Sequence, residues 1–541
     1  MRRVLPTTCM LVVLVVVLAV AGVDAWREAT AQGWIADSYD RLVRAAFWRR
    51  FDRAAPIGLA ALVALSLLAS TVRRWVPTRR EIALPFLLVA LVAIGRVLAY
   101  GYEQNSPRRP NVLLISIDTL RADRVGADGY ERPTSPSLDH RLAAEGVVFE
   151  DAWSQSPKTT PSHMTMLTSL YPSVHGIGLW TGTGAAPSLN PRVHTLAEVL
   201  KNAGYATAAF TAGAHMHRDR GFVQGFDVYK HGDQLRRALE FLGAHRRRPF
   251  FLFVHSYEVH DPYTPPPELA ARFAADPVPA IAEAAARIRA GGVNGWPQAH
   301  RIFWQPVDAA DPRDVRYLSD LYDAGIRAMD DTTLTAILDR LDALGLADDT
   351  LVVFTSDHGE AFQEHGTFLH EDLHVETLRV PLVLRFPKRL PAGRRVDRPA
   401  RLLDVVPTVL DLLMLPVPAQ AEGASLAPLA RGEEDAAGPD VVFSEYSDAA
   451  IGRVFESMRQ GPYALIRDGD AVHLYDSGAD TGERHDVAAG NPARVQSMGA
   501  DLDRWREANG RLAARYGPRT GDVAAPSKDT VEQLRALGYV E

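Results

Sequence analysis

One stretch constrains the fold more than any other: residues 112–118 read VLLISID, an almost unbroken apolar segment. A strand with one face in solvent alternates apolar and polar residues, so this pattern is typical of a strand buried on both faces. Comparable stretches recur along the chain at 146–153, 205–210, 249–257 and 350–357. Helix-like segments separate them, the longest spanning about 314–345. The alternation predicts an α/β fold with a mostly parallel central sheet flanked by helices.

Shifts in composition predict how the chain divides into domains. The alternating pattern fills a main domain at residues 111–435, which follows a polar linker at 102–110. Within it, residues 264–313 are rich in proline and alanine and fit no sheet element, which predicts an insertion or lid. Residues 436–541 combine short strand-like segments with a polar helical tail. They predict a small C-terminal antiparallel subdomain.

The first 101 residues have a different character and predict a membrane region. Apolar runs cover about 4–23, 54–72 and 82–100. The second and third runs are each long enough for a helix to cross a bilayer core of about 30 Å. The first run is either a third span or a cleaved signal peptide, because Ala19-Val20-Ala21 fits a small-residue cleavage pattern.

Arginine placement predicts the orientation of these spans. The segment RRWVPTRR at 73–80 puts four arginines between the second and third runs. By the positive-inside rule this loop is cytoplasmic, so residues 102–541 are expected outside the cytoplasm of a multi-pass cell-membrane protein. The loop at 25–53 opposes this reading, since it carries six arginines, but it also carries four acids and has amphipathic spacing. We interpret it as an interfacial helix.

Overall charge and cysteine content exclude several functions. The 541-residue chain has a formal net charge of −7 and one cysteine, Cys9. Because no net basic charge is present, nucleic acid is not an expected partner. A single cysteine excludes a disulfide within the chain and a cysteine-based metal site.

Polar residues at the ends of predicted strands suggest a metal site. Asp118 ends the first strand, and Asp357 with His358 ends a later one. Ligand sites in such sheets lie beyond the carboxyl ends of strands, and carboxylates with imidazole suit a hard or borderline divalent metal. Together with His163, two segments after strands, 255–260 and 358–374, hold seven of the 17 histidines. Each residue alone has a plainer interpretation as a turn cap or a solvated side chain, but their density favours a site.

The segment KTTPSH at 158–163 leaves two interpretations open. In the first, Thr159 is the attacking group of an enzyme. In the second, Thr159 or Thr160 is the polar N-cap of the helix that follows, with Pro161 in its first turn. Free backbone N–H groups at the start of that helix would favour a bound anion.

Several blocks in order resemble the sulfatase branch of the alkaline phosphatase superfamily over about 110–540. They are NVLLISIDTLRAD, TTPSHMTMLTSLYPSVHG, HDPYTPP, YDAGIRAMDD, FTSDHGEAFQEHG, ETLRVPLVLRFP, LLDVVPTVLDLL, LYDSGADTGERHDV and LRALGYV. The resemblance implies an alkaline phosphatase-like fold, with 111–435 as the catalytic domain. It also implies a divalent metal ion (Zn, Mn, Ca or Mg) held by Asp118, Asp357, His358 and the nucleophile Thr159.

The same resemblance implies roles for four histidines. His260 matches a residue that contacts the transferred group or the leaving oxygen, and His370 is expected to share that catalytic task. Substrate contacts are expected from His163, His260, His365 and His370. A second metal is left open, with Glu258, His260, His365 and His370 as candidates. Lys158 is either an oxyanion partner or a solvated side chain.

Departures from the family pattern bear on the reaction. Formylglycine sulfatases have Cys or Ser where this chain has Thr159. They have Arg in place of His163, Asn in place of His358 and a second Asp in place of Thr119. Ala214 falls near the place of a family lysine. Threonine cannot become the hydrated aldehyde, so no formylglycine is expected.

A threonine nucleophile favours transfer of a phosphoryl group, because a phospho-threonine can be attacked in line by water or another acceptor. The metal-site set looks like that of lipoteichoic acid synthases and lipid A phosphoethanolamine transferases. The stretch around Thr159 is also similar to nucleotide pyrophosphatase/phosphodiesterases. We therefore expect action on phosphoesters or phosphonates, with a lipid or envelope glycan at the membrane as the candidate substrate. The alternatives are a sulfuric ester hydrolase and a catalytically inactive membrane-anchored envelope protein.

Overall fold

A computed structural model describes residues 109–178, 187–291, 293–433, 436–448 and 453–517. The predicted membrane spans, their orientation and nearly all of the linker fall outside these ranges, as does the segment LRALGYV near the C-terminus. Within the described ranges, no helix combines the length and apolar character that a bilayer crossing needs.

The central sheet has eight strands and confirms the predicted α/β class. Its strands are β1 (Asn111–Ile117), β2 (Val147–Trp153), β3 (Ala206–Thr211), β4 (Val228–His231), β5 (Phe250–Ser256), β6 (Thr350–Thr355), β9 (Leu382–Arg385) and β10 (Arg394–Arg401). Their spatial order is β10-β2-β9-β6-β1-β5-β3-β4. Only β9 runs antiparallel to its neighbours β2 and β6, so the sheet is mostly parallel. A small hairpin, β7 (Ala361–Phe362) with β8 (Phe368–Leu369), follows β6.

Strand register brings the ends of the three central strands together. β1 lies between β5 and β6 and runs parallel to both, with Ile117 opposite Ser256 and Ser116 opposite Thr355. Every residue of β1 is buried, which explains its nearly continuous apolar sequence. The segments after these strands therefore start from the same edge of the sheet.

Helices flank the sheet. They are α1 (Thr159–Thr168), α2 (Pro172–His175), α3 (Leu196–Asn202), α4 (Gln234–His245), α5 (Pro267–Phe273), α6 (Pro279–Arg289), α7 (Gly295–Trp304), α8 (Pro312–Met329), α9 (Thr335–Ala343), α10 (Val375–Leu378), α11 (Val405–Leu412), α12 (Ala427–Arg431) and α13 (Pro492–Tyr516). The long helix predicted at 314–345 is present as α8 and α9, joined by a π-helical turn at Asp330–Leu334. The predicted insertion forms α5, α6 and α7 and adds no strand among its described residues.

The C-terminal part is a four-stranded antiparallel sheet, as predicted. Its strands are β11 (Val441–Asp448), β12 (Arg453–Gln460), β13 (Tyr463–Asp468) and β14 (Ala471–Asp476), paired in that order. The sequence reading missed β12. Val442 and Tyr446 share one buried apolar cluster with Trp153, Leu373 and Leu378 of the main domain, so the two parts have a common core.

Candidate active site

Two buried carboxylates form the centre of the site. Asp118 follows β1 and Asp357 follows β6, and both side chains are 0% exposed. Asp118 Oδ1 and Asp357 Oδ2 are buried and accept no hydrogen bond from the described residues. His358 Nε2 lies 3.3 Å from Asp357 Oδ2 and 3.9 Å from Asp118 Oδ1. One ligand atom from each of these three residues lies within 4.8 Å of the others.

The electrostatics of this group suit a bound cation. Burial and the nearby charge of Asp118 raise the pKa of Asp357 well above its usual range. Burial opposes ionisation of Asp118 too, but the hydrogen bond with His255 and the charges of His260 and His358 lower its pKa. Two carboxylates this close repel each other when both are charged, and a divalent ion removes that repulsion. The two unbonded oxygens and the imidazole nitrogen therefore fit a divalent metal.

Thr159 begins helix α1 beside this group. Its Oγ1 lies 3.4 Å from His358 Nε2. Lys158, not Thr159 or Thr160, occupies the N-cap position, and its side chain makes no capping bond. The Thr160 hydroxyl instead donates to the carbonyl of His215, at 2.7 Å. The capping interpretation of either threonine is therefore wrong, because the helix already begins at Thr159 and both threonines lie inside its first turn.

A second group of polar side chains holds these residues in place. His255 Nε2 lies 3.0 Å from Asp118 Oδ2, and the Ser162 hydroxyl donates to the Asp357 carbonyl at 2.7 Å. The backbone N–H of Thr119, a residue with a φ of 59°, faces Asp357 Oδ1 at 3.3 Å. His255 is the first residue of the histidine-containing segment 255–260, but the sequence alone assigned it no function.

His163 is a supporting residue. It is fully buried on α1, with Nε2 2.9 Å from the Ser116 hydroxyl and Nδ1 2.8 Å from the Thr159 carbonyl. Both ring nitrogens thus meet protein atoms, and neither is left for the expected substrate contact. Its bond to Thr159 ties the backbone of that residue to β1.

His260 and His370 face each other over the site, with ring centroids 5.7 Å apart. The His370 ring also lies 4.4 Å from that of His358. Glu360, which the sequence reading did not select, holds His370 Nδ1 at 3.0 Å, and burial raises the pKa of Glu360 to about 8. Burial disfavours a charged His260, but the carboxylates of Asp261, Asp118 and Glu360 outweigh this and raise its pKa.

Lys158 is not a solvated side chain. It is 5% exposed, and its Nζ lies 2.6 Å from Glu371 Oε1 and 4.8 Å from the ring centre of Tyr446. Its positive charge reaches the site, because it contributes to lowering the pKa of His358 and His370 after burial and neighbouring groups. The solvated interpretation is therefore wrong, whereas the role of Lys158 as an oxyanion partner stays a prediction.

His365 lies in a separate cluster. Its Nδ1 is 2.6 Å from Glu376 Oε1 and its Nε2 is 2.9 Å from the Glu483 carbonyl. Its ring stacks on His374 at 3.6 Å and 7°. Both ring nitrogens of His365 thus face protein oxygens, and neither is left for the expected substrate contact.

A second metal ion would need its own group of close ligand atoms. In the described part of the chain, His365, His374 and Glu376 are the other group of three close potential ligands. Metal–imidazole bonds lie in the ring plane, and the planes of two parallel stacked rings do not converge on one ion. The stacked rings of His365 and His374 therefore do not fit one shared metal ion. Among these ranges neither group of potential ligands includes Glu258, His260 or His370.

Comparisons with known proteins agree with this fold. Among solved structures, the phosphonate monoester hydrolase of Agrobacterium radiobacter is similar, with 23% identity and a TM-score of 0.59, over 74% of this chain and 96% of that one. Among curated proteins, the N-acetylglucosamine-6-O-sulfatase of Bacteroides thetaiotaomicron is 23% identical over 64% of this chain and 75% of its own length. The ulvan-active sulfatase of Formosa agariphila is 26% identical over 74% of this chain and 81% of its own length.

Family profiles match most of the described region. The profile "N-sulphoglucosamine sulphohydrolase, C-terminal" matches residues 363–505, and the profile "Sulfatase" matches residues 110–415, more than half of the chain. Proteins with this fold use a divalent metal ion, in agreement with the group around Asp118. The chain therefore belongs to the sulfatase family of the alkaline phosphatase-like superfamily and is an enzyme that acts on sulfate or phosphate esters.

Proposed function

We propose that this enzyme cleaves phosphoesters or phosphonates, with Thr159 as the nucleophile. The observation that carries the proposal is the position of the Thr159 hydroxyl, 3.4 Å from His358 Nε2, at the edge of the group that includes Asp118 and Asp357. A hydroxyl at this place can attack a phosphorus atom whose oxygens face the same group.

The identity of residue 159 favours phosphorus over sulfur. A formylglycine hydrate carries two hydroxyls on one carbon, so that one attacks and the other collapses to expel sulfate. Threonine has one hydroxyl on its β-carbon and cannot expel sulfate in that way. A phospho-Thr159 intermediate can instead be attacked in line at phosphorus by water or by another acceptor.

The chain's own residues would divide the remaining tasks. Asp118, Asp357 and His358, with Thr159, would hold the divalent ion, which supplies charge neutralisation and a lower pKa for a nearby hydroxyl. His260 and His370 would contact the transferred group, and His260 would protonate the leaving oxygen. Lys158 would add positive charge on the side of α1.

A panel of aryl esters tests this proposal. Phosphate monoesters, phosphate diesters, phosphonate monoesters and sulfates of the same phenol would be assayed with Zn, Mn, Ca and Mg in turn. We expect at least one phosphorus ester to turn over about a hundredfold faster than the sulfate, a difference of about 2.7 kcal/mol in activation free energy. Faster turnover of the sulfate than of every phosphorus ester would refute the proposal.

Sulfate ester hydrolysis is the second candidate, because the similar curated proteins are named as sulfatases. The same panel decides between the two. A non-catalytic envelope protein is disfavoured, since the relatives are enzymes and the buried ligand group is complete.

We also propose that the catalytic domain lies outside the cytoplasm, where a lipid or envelope glycan ester would be the substrate. The arginines of RRWVPTRR support this orientation by the positive-inside rule. A phosphatase reporter fused at the C-terminus of the full chain is expected to be active in intact cells. A cytoplasmic signal would reverse the topology and place the loop at 25–53 inside.

A further inference from the structure

Three side chains of helix α7, in the insertion, converge on one buried acid. Asp261 is 3% exposed and directly follows His260. Its Oδ2 accepts hydrogen bonds from His300 Nδ1 at 2.6 Å and from Trp304 Nε1 at 3.1 Å. Its backbone carbonyl accepts a third, from Trp296 Nε1 at 3.1 Å. Such a concentration of donors from one helix on one residue fixes the position of that residue.

Asp261 uses its remaining acceptors on His260. His260 Nδ1 lies 3.2 Å from Asp261 Oδ1 and 2.8 Å from the Asp261 carbonyl. With Nδ1 held in this way, Nε2 is the nitrogen that remains for the substrate. One carboxylate thus joins the insertion on one side to an active-site histidine on the other.

Helix α7 is itself anchored in the main core. Phe303 is 0% exposed and belongs to the large apolar cluster that includes strands β1 and β5. Its ring meets that of Tyr263 at 5.7 Å, and the Trp296 and His300 rings stack at 4.6 Å. The donors to Asp261 therefore come from a helix that packing holds in place.

We propose that α7 is a positioning element of the active site, in which His300 and Trp304 fix Asp261 and Asp261 orients His260 with Nε2 toward the leaving oxygen. This inference rests on the role of His260 in the proposed function. His300 and Trp304 touch no reacting atom and act through Asp261.

The step that this arrangement serves is cleavage of the ester. The Thr159 hydroxyl first loses its proton to solvent. As the bond from Thr159 Oγ1 to phosphorus forms, the bond from phosphorus to the leaving oxygen breaks, and that oxygen keeps the electron pair. It takes a proton from His260 Nε2, and the imidazolium becomes neutral with its Nδ1 proton still shared with Asp261. Water later attacks phospho-Thr159: one of its protons goes to His260 Nε2, its oxygen bonds to phosphorus, and the bond from phosphorus to Thr159 Oγ1 breaks. The phosphorus product leaves, and Thr159 Oγ1 takes back a proton from solvent.

The test compares two leaving groups in the full-length protein. A 4-nitrophenyl ester leaves readily without a proton, whereas a phenyl ester needs one. We expect His300→Ala to lower kcat for the phenyl ester by about tenfold or more, a part of what general acid catalysis contributes. The 4-nitrophenyl ester should lose less than about threefold and KM should change little for either. Trp304→Phe should act in the same direction, because it removes one donor and keeps most of the ring.

Two further variants separate positioning from general damage. His300→Asn places an amide N–H near the lost Nδ1–H and should restore most of the phenyl ester rate. Arg301→Ala changes an exposed residue of the same helix and should leave both rates unchanged. Equal losses for the two esters, or no loss in His300→Ala, would overturn the proposal. If His300→Ala does not fold, Trp304→Phe gives the same comparison of the two esters.

The result of the leaving-group test can be told apart from the result that tests the proposed function. The leaving-group comparison is run on whichever ester class the wild type turns over, including aryl sulfates, so a preference for sulfur would refute the phosphoester proposal without deciding this one. A measurement that needs no turnover is the 15N spectrum of the histidine side chains. The Nδ1 signal of His260, assigned with His260→Gln, should shift in His300→Ala and not in Arg301→Ala, and an unchanged signal would count against positioning.

Discussion

Asp118 and Asp357 are the residues on which the site depends most. Each presents one buried oxygen that accepts no hydrogen bond from the described part of the chain, toward the same small space that His358 Nε2 borders. A buried and unsatisfied carboxylate oxygen is costly, so this arrangement gains its stability when a cation is present.

Replacing Asp357 with Asn should therefore separate metal binding from folding. We expect Asp357→Asn to lose most of its metal and the rise in Tm that metal gives the wild type. Without metal, the variant should be at least as stable as the wild type, because its neutral side chain no longer repels Asp118. Metal content and thermal melts with and without chelator would show this. Asp397→Asn, an exposed position on β10, should change neither, and an Asp357→Asn protein with full metal content would contradict the assigned ligand set.

Thr159 offers the sharpest test of the reaction. Thr159→Ala should lower kcat by several orders of magnitude, as loss of a positioned nucleophile does, while Tm changes little because this hydroxyl caps no helix. Thr159→Ser should keep part of the rate, since it retains a hydroxyl at the same place. Steady-state kinetics on the best ester of the panel would measure both.

The control for Thr159 lies on the same helix. Thr168→Ala removes a buried hydroxyl that donates to the Met164 carbonyl at 2.7 Å. It should cost about 1 kcal/mol of stability and leave the rate nearly unchanged. A Thr159→Ala protein that behaves like Thr168→Ala would end the proposed mechanism.

Among the elements, the short helix α2 depends on acids from elsewhere in the chain. The backbone N–H of Ser173, in its first turn, donates to Glu445 Oε1 of β11 at 2.7 Å. The N–H of Tyr171, just before it, donates to Glu422 Oε2 at 3.1 Å. From α13, Asn509 donates to the Ser173 hydroxyl at 2.9 Å. Helix α2, which follows α1 and thus Thr159, is therefore held in place by the C-terminal part.

The charge on Glu445 should make stability depend on pH. Burial raises the pKa of Glu445 to about 7, although the bonds with Ser173 lower it. Because the folded pKa lies above the unfolded value, the folded state binds the proton more tightly, and this group's contribution to stability falls as pH rises from about 4.5 to 7. Glu445→Gln should then be more stable than the wild type at pH 8, by about 3 kcal/mol at most.

Thermal or urea unfolding at pH 5 and pH 8 would measure this difference. At pH 5 the two proteins should be nearly equal in stability, since the wild-type side chain is then protonated. Glu507→Gln, at an exposed position of α13, should show no such dependence. A Glu445→Gln protein that is less stable than the wild type at pH 8 would show that the carboxylate stabilises the fold as an anion.

For the whole molecule, a buried ion pair joins the C-terminal sheet to the catalytic domain. Arg459 of β12 is 7% exposed and pairs with the fully buried Glu483. It also donates to the Leu373 carbonyl at 3.1 Å and lies 4.1 Å from the ring centre of Trp153. Glu483 in turn accepts from the N–H of Val375 at 3.0 Å. The two parts thus share polar contacts as well as a core.

Breaking this pair should destabilise the whole catalytic region. Arg459→Met is expected to cost about 3–5 kcal/mol, because it leaves the Glu483 charge buried and unpaired. Adding Glu483→Gln should recover part of that loss. Arg453 lies on the same strand as Arg459 and pairs with Asp468 of β13 in a half-exposed position. Arg453→Met breaks that pair and should cost about 1 kcal/mol or less. Urea unfolding would rank the three proteins, and an equal loss for Arg453→Met and Arg459→Met would contradict a special role for the buried pair.

The sequence by itself determined five of the eight strands of the central sheet and the centre of the site, but not β4, β9 or β10. Apolar runs predicted β1, β2, β3, β5 and β6 to within one or two residues. Parallel strands end at one edge, so Asp118, Asp357 and His358 could be brought together from their positions alone. The start of α1 beside them followed from the order of the blocks.

Only the tertiary structure decided what the surrounding side chains do. Whether His163 and His365 face the substrate or protein atoms depends on the packing of distant segments, and no spacing in the chain records it. The same holds for His300, which reaches Asp261 across the insertion, and for Arg459, which reaches Glu483 across the C-terminal sheet. Backbone periodicity follows from local geometry, whereas these hydrogen bonds and charge pairs form only after non-local segments have packed, which is why the sequence predicted the site but not its supports.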